Sequence, residues 1–305
     1  MTAILVRIKS QFILKLIMNV YLREKKKLKI SHGNQFLINK LNIFPVDYKF
    51  FKEIIIKIKL DQPYNEFGRF LQNSYYKNKD KISIYLDEQK IEKNYLDLTQ
   101  RGKTITLIIG AMTDLKDLFK GDDQIQEIIF VKYNRTDIKN ISGIFCDCKS
   151  LINLDISKIY SESLVDTSEM FCGCSRLRKI NLSNFRPYNV KSMESMFCRC
   201  TDLEELILNN YFNTSNVENM ISMFKDCYKV EELKLQMFNA NSLLFAFNMF
   251  ENCVKLKNLD ISNFAIKPTT GVRYMFSNCS DSFKKSIRSR MNINDDAFLD
   301  YKFNK

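Results

Sequence analysis

A recurring phenylalanine constrains this chain more than any other feature. Phe119, Phe145, Phe171, Phe197, Phe224, Phe250 and Phe276 follow one another at spacings of 26, 26, 26, 27, 26 and 26 residues. A fixed period of this size marks an array in which no unit can bury its apolar face alone and each stacks on the next. Neighbouring columns keep the same register. Leu118, Ile144, Met170, Met196, Met223, Met249 and Met275 precede the phenylalanine, and Asp122, Cys148, Cys174, Cys200, Cys227, Cys253 and Cys279 lie three residues after it. Leucine-type positions follow, as in Leu177, Ile180 and Leu182, or Leu203, Leu206 and Leu208. An aromatic closes most units, at Tyr133, Phe185, Tyr211, Phe238 and Phe264, with Ile159 in that place in the second.

Two periodicities sit inside one unit. Val217, Met220, Met223 with Phe224, and Cys227 recur every three to four residues, the spacing of one helix face. Leu206 and Leu208 alternate, as in a strand with one buried face. The predicted fold is therefore an α/β solenoid of about seven 26-residue units, each a short helix, a turn and a short parallel strand. The single extra residue is expected in a loop between Tyr211 and Val217, the interval that holds Pro187 and Pro268 in other units.

The pattern Met-Phe-x-x-Cys-x-x-Leu-x-x-Leu-x-Leu-Ser-x-Phe, followed best by Cys174–Phe185 and Cys253–Phe264, resembles the BspA-like leucine-rich repeat. The resemblance spans roughly 170 of the 305 residues. It implies a leucine-rich-repeat-like array that binds other proteins rather than catalysing a reaction.

Four segments are expected: 1–50, helical and basic; 51–110, a small β-rich capping module; 111–280, the solenoid; and 281–305, a C-terminal helical cap and tail. In the first, Gln11–Leu22 and Gln35–Leu41 read as helices around the basic run Lys25–Lys29. This opening is similar to F-box-like segments, which would make the chain a ubiquitin-ligase substrate adaptor with the repeats as its substrate-binding domain. In the second, Glu53–Leu60, Lys81–Leu86 and Lys103–Ile109 read as strands that cover the first rung, since an open end would leave strand edges in water. After Cys279 the pattern fails, and Asp281–Met291 reads as a helix with Phe283 and Ile287 on one side and Lys284, Lys285, Arg288 and Arg290 elsewhere.

The formal net charge of +12 is unevenly placed: residues 1–60 carry +10, and the chain beyond residue 110 only +1. Nucleic-acid binding would have to rest on the N-terminal segment, where a solvated helix face is the simpler reading. No apolar run suits a signal peptide or a membrane span. All nine cysteines lie in the repeats, an odd number that suits a packing column in a reducing compartment better than a disulfide framework. An intracellular, cytoplasmic location is therefore expected.

Signs of catalysis are sparse. His32 is the only histidine, and neither a phosphate-cradling loop nor a metalloprotease motif occurs. Cys146, Cys172 and Cys198 form a second column two residues before the packing cysteines and are expected to be more exposed, where soft metals such as Zn or Cu(I) use thiolates. Zinc-finger spacing is absent, however, and neither cofactor, metal nor small-molecule substrate is expected. Glu204 and Glu205 should pair across rungs with Arg178 and Lys179. The expectation is a non-enzymatic protein–protein interaction scaffold. Its candidate binding face is the outward strand column Asp155, Asn181, Ile207, Lys234 and Asp260, which extends from Ile129 and is flanked by Val131, Ser157, Ser183, Asn209, Gln236 and Ser262.

Overall fold

The computed structural model describes residues 53–61, 78, 80–87, 89–90, 104–110, 112–133, 135–160, 162–261, 263–264 and 266–300. The chain divides into two units, Met1–Glu53 and Ile54–Lys305, and the description that follows concerns the second. The expected helices, basic run and F-box-like segment of residues 1–50, His32 with them, lie outside the described residues.

Apolar alternation in Ile54–Leu60 and Thr104–Ile109 produces strands buried on one face. These are β1 (Ile54–Leu60), β2 (Ile82–Leu86), β3 (Gln89–Lys90) and β4 (Thr104–Ile109), followed by β5 (Ile125–Tyr133) of the first repeat. The sheet order is β3-β2-β4-β1-β5-β6, with β6 at Asn153–Asp155. β1 runs antiparallel to both β4 and β5, and β5 runs parallel to β6. The first rung thus gives one edge to the β-rich segment and the other to the solenoid, and no bare edge is left there. A register shift opposite Ile55 and Ile56 bulges β5 and leaves Val131 45% exposed.

Each later unit contributes a three-residue strand: β7 (Lys179–Asn181), β8 (Glu205–Ile207), β9 (Glu232–Lys234) and β10 (Asn258–Asp260). The pairs β5–β6, β7–β8 and β9–β10 are parallel and in register one repeat apart. A second ladder of single parallel bridges links Asp114, Asn140, Asp166, Ser192, Asn219, Phe245 and Gly271 through all seven units. The described residues from Met112 to Cys279 therefore form a repeat array with strands at about 26-residue spacing, an arrangement consistent with a solenoid.

The expected helix in each unit is not formed. Between the two ladders, every second N–H donates forward to the next rung: Thr167 to Ser192, Glu169 to Glu194, Phe171 to Met196 and Gly173 to Cys198, at 2.8–3.1 Å. The intervening N–H groups close turns instead, Met170 to Thr167, Cys172 to Glu169 and Cys174 to Phe171. An α-helix would keep every bond within the segment. Three consecutive turns bring residues three apart to one side, which mimics helical spacing over so short a run. Two residues per unit hold the left-handed conformation these turns need, as in Glu169 (φ +56°) with Gly173 (φ +74°) and Ser195 (φ +53°) with Arg199 (φ +58°).

All seven phenylalanines of the column are at most 1% exposed, and they stack ring on ring at centroid distances of 5.1–6.0 Å. One continuous apolar core runs from Ile54 to Phe298 around them. Each packing cysteine sits beneath this stack, and its thiol donates to the carbonyl of a phenylalanine on the preceding rung, as Cys174 does to Phe145 at 3.1 Å. All nine cysteines are free.

The closing aromatic of the fourth strand unit is Phe212, not Tyr211. Phe212 is 1% exposed and stacks between Phe185 and Phe238, whereas Tyr211 is 58% exposed. The extra residue therefore falls between Leu206 and Phe212, before the expected interval, because Leu206 and Leu233 are 27 apart while Phe212 and Phe238 are 26 apart.

The far end is closed by α1 (Asp281–Arg290) and a short 3-10 turn, Asp295–Phe298. The Ser280 side chain caps α1 by accepting from the Phe283 N–H at 3.3 Å. Phe298 stacks on Phe276 at 5.4 Å and Phe283 meets the same ring edge-on at 5.8 Å. The forward-pointing N–H groups of Tyr274 and Phe276 donate to the carbonyls of Asp296 and Ala297, and that of Asn278 to the Asp300 carboxylate. This segment stands where an eighth rung would. Phe283 and Ile287 are buried as a pair on one side of α1, and Lys284 is buried as well, its ammonium paired with Asp300 at 2.5 Å. No helix among the described residues is long and apolar enough to cross a membrane.

Candidate interaction surface

The strand ladder presents its outward side chains in the order expected. Asp155, Asn181, Lys234 and Asp260 are exposed and Ile207 is half-buried. Register pairs Ile129 with Asp155, Asn181 with Ile207, and Lys234 with Asp260. The face is locally satisfied rather than uniformly available. Asp155 and Asn181 each accept the N–H two residues on, from Ser157 and Ser183, at 2.9 Å. Such Asx turns end a strand and use one side-chain oxygen in doing so. Lys234 lies 3.4 Å from Glu232 on the same strand face. Ser262 lies outside the described residues.

Charge on this face is paired across rungs, as the sequence suggested. Arg178 meets Glu204 at 2.7 Å, Lys179 meets Glu205 at 2.8 Å, and Lys257 meets Glu231 at 2.9 Å. The Lys257 ammonium, by hydrogen bond and charge, holds the Glu231 carboxyl below its ordinary range. Pairs this exposed contribute little to stability and leave a neutral surface.

Beside the strands lies a group that sequence reasoning missed. The Arg186 guanidinium sits over the ring of Tyr211, 4.7 Å from its centroid, and 5.9 Å from that of Tyr160. The three side chains come from successive rungs, four or five residues after Asp155, Asn181 and Ile207 on the same rungs. The sequence places Tyr211 in the column of closing aromatics, and three unlike residues in one column do not show as a repeat. Arginine stacked between aromatics is planar, weakly hydrated and pre-ordered.

Cys146, Cys172 and Cys198 do not form an exposed column. They pack together as a small cluster of their own, 2%, 6% and 8% exposed, with the Asp147 and Glu169 carboxylates against Cys146 and the Arg199 guanidinium against Cys172. Among the described residues no group of three or more His, Cys, Asp or Glu is arranged to hold a metal ion.

No curated protein and no solved structure matches the chain. Residues 113–210 and 180–290, which between them span the array, match the family described as "Mycoplasma protein of unknown function, DUF285", and the chain belongs to that family.

Proposed function

We propose that this protein is a non-enzymatic protein-interaction scaffold of leucine-rich-repeat type, similar to BspA-like arrays, and that it binds partner proteins on the strand-ladder face. The observation that carries the reading is the stacked group Tyr160–Arg186–Tyr211 beside half-buried Ile207, with Tyr211 58% exposed. Tyrosine and arginine dominate the energetics of protein interfaces, and an apolar centre within a polar rim is the anatomy such interfaces share. The neutral, ion-paired surround supports a protein partner over a polyanion. Nine free thiols in stacked columns support a reducing, cytoplasmic setting.

The test replaces Tyr211 and Arg186 by alanine together and compares affinity capture from the native cell with that of the unaltered chain. Loss of specific partners at an unchanged unfolding midpoint is the expected result. Identical partner sets from both proteins would remove this face as the binding surface.

A further inference from the structure

Six of the nine cysteines have an evident structural role. Cys148, Cys174, Cys200, Cys227, Cys253 and Cys279 each donate to a phenylalanine carbonyl at 3.1–3.2 Å and lie inside the core. Burial pushes the Cys174, Cys200, Cys227 and Cys253 thiols well above the ordinary range, which makes them unreactive. The other three, on three consecutive rungs, have no such role.

Their surroundings differ in kind. The Arg199 guanidinium approaches the Cys172 sulfur at 3.5 Å and is shared with the Asp147 carboxylate at 3.3 Å. The Cys146 thiol lies 3.7 Å from both the Asp147 and the Glu169 carboxylates. Lys120 in turn pairs with Glu169 at 3.1 Å and Asp117 at 3.5 Å. Cys172 thus occupies the middle of a thiol stack, with a cation against its sulfur and a neighbouring thiol on either side. Hydrogen bonds from Cys146 and from Cys198, then that of Arg199, hold its thiol well below the ordinary range, while Cys146 and Cys198 are pushed above it. Asp226 adds negative charge on the Cys198 side. The Arg199 side chain that lies against the Cys172 sulfur is itself 52% exposed, and Lys120 and Glu169 beside Cys146 are 40% and 47% exposed, so the cluster lies directly under surface side chains. Rungs of a parallel ladder lie roughly 5 Å apart, inside the Cα separation that a disulfide spans.

We propose that Cys172 is an oxidation site that takes hydrogen peroxide or a small alkyl hydroperoxide, and that Cys146 or Cys198 then closes a cross-rung disulfide onto it. In the first step the Cys172 thiolate attacks the near peroxide oxygen and the O–O bond breaks. The sulfur is oxidised to sulfenic acid, and the leaving hydroxide or alkoxide takes a proton and departs as water or alcohol. In the second step a neighbouring thiol, deprotonated as it reacts, attacks the sulfenic sulfur, an S–S bond forms, and the displaced hydroxide takes up that proton and leaves as water. Two thiols supply the two electrons that the peroxide consumes. The same covering charges order the reactivity: Arg199 favours thiolate at the centre, and the carboxylates of Asp147 and Glu169 keep Cys146 a thiol.

The test treats the reduced full-length chain with one equivalent of hydrogen peroxide, with and without a dimedone trap, and maps all nine cysteines by mass spectrometry. Dimedone adducts should fall on Cys172, and without the trap a Cys172–Cys146 or Cys172–Cys198 disulfide should replace them. Alkylation of Cys172 against pH should show a midpoint below the ordinary thiol value of about 8.5. Arg199→Gln should raise that midpoint, and Cys172→Ser should abolish both adduct and disulfide. Adducts spread evenly over Cys172, Cys174 and Cys200, or a Cys172 midpoint at or above that of a free thiol, would overturn the proposal.

Discussion

The Cys200 thiol donates to the Phe171 carbonyl oxygen, 3.1 Å away on the preceding rung. The same oxygen already accepts the Cys174 N–H at 3.0 Å. Cysteine at this position is therefore more than a small apolar filler, since it supplies a second donor to a buried carbonyl without the desolvation a hydroxyl would bring. Cys200→Ala removes both sulfur volume and donor and should cost about 1–2 kcal/mol. Cys200→Val restores volume but forces a branched side chain into a packed stack, and should also destabilise. Urea unfolding of the three proteins checks this; a valine variant as stable as the original would show that the thiol hydrogen bond contributes nothing.

The phenylalanine stack sets the larger scale. Phe197 is fully buried between Phe171 and Phe224, at centroid distances of 5.4 and 5.1 Å. Phe197→Ala should cost about 3–5 kcal/mol, as large-to-small core changes do. Ser183→Ala, on the strand-ladder face, should cost under about 0.5 kcal/mol. The pair of denaturation curves reports on which side of each rung is inside, and similar losses from both would contradict the arrangement.

The repeat was legible because a column of identical aromatics cannot arise at one period unless the rungs stack. Cross-rung pairs such as Arg178–Glu204 followed from the same period by simple addition. The turn ladder was legible only in part. The second left-handed position of each unit does carry a signal, since it is Gly121, Asp147, Gly173, Asp226, Asn252 or Asn278 in every unit but that of Arg199. The first holds Glu169, Ser195, Ser222 and Tyr274 beside Asp117, Gly143 and Asn248, so residue type alone does not mark it. Over three turns, contacts three residues apart and a helix of 3.6 residues per turn place nearly the same side chains inside. Tyr211 and Phe212 are adjacent aromatics, and only the Phe185–Phe212–Phe238 stack decides which of them is core. The buried state of Cys172 depends on how long charged side chains fold over it, which no spacing encodes.

Two glycines separate backbone strain from steric clash. Gly121 (φ +76°) and Gly143 (φ +60°) both occupy left-handed positions. A Cβ on Gly121 would meet nothing within 4 Å, so Gly121→Ala should cost only the conformational strain, about 1–2 kcal/mol. A Cβ on Gly143 would collide with the Asp117 carboxylate, displacing it from Lys120, 3.5 Å away. Gly143→Ala should therefore be worse than Gly121→Ala by a further 1 kcal/mol or so. Thermal unfolding of both variants measures the difference, and equal losses would mean that Asp117 moves aside freely.

The last rung depends on Asp300 through two contacts, the Lys284 ammonium at 2.5 Å and the Asn278 N–H at 2.7 Å. Partial burial alone would raise its carboxyl, but the hydrogen bonds from Lys284 and Asn278 outweigh that and hold it below the ordinary carboxylate range. A carboxyl depressed in the folded state stabilises fully above its unfolded value, near 3.9, and loses that contribution as pH falls through the lower folded value. Stability should thus be flat in this respect from neutral pH to about 5 and decline below about 4. Asp300→Asn should lower stability at pH 7 and remove part of the acid-side slope, whereas Asp295→Asn, at a carboxylate 84% exposed, should do far less. Phe298→Ala, which takes the final ring off the Phe276 stack, should cost about 3 kcal/mol at every pH, since no titrating group is lost. A series of urea midpoints from pH 3 to pH 7 distinguishes the two kinds of closure. An Asp300→Asn curve parallel to the original would show that the terminal rung is held by packing alone.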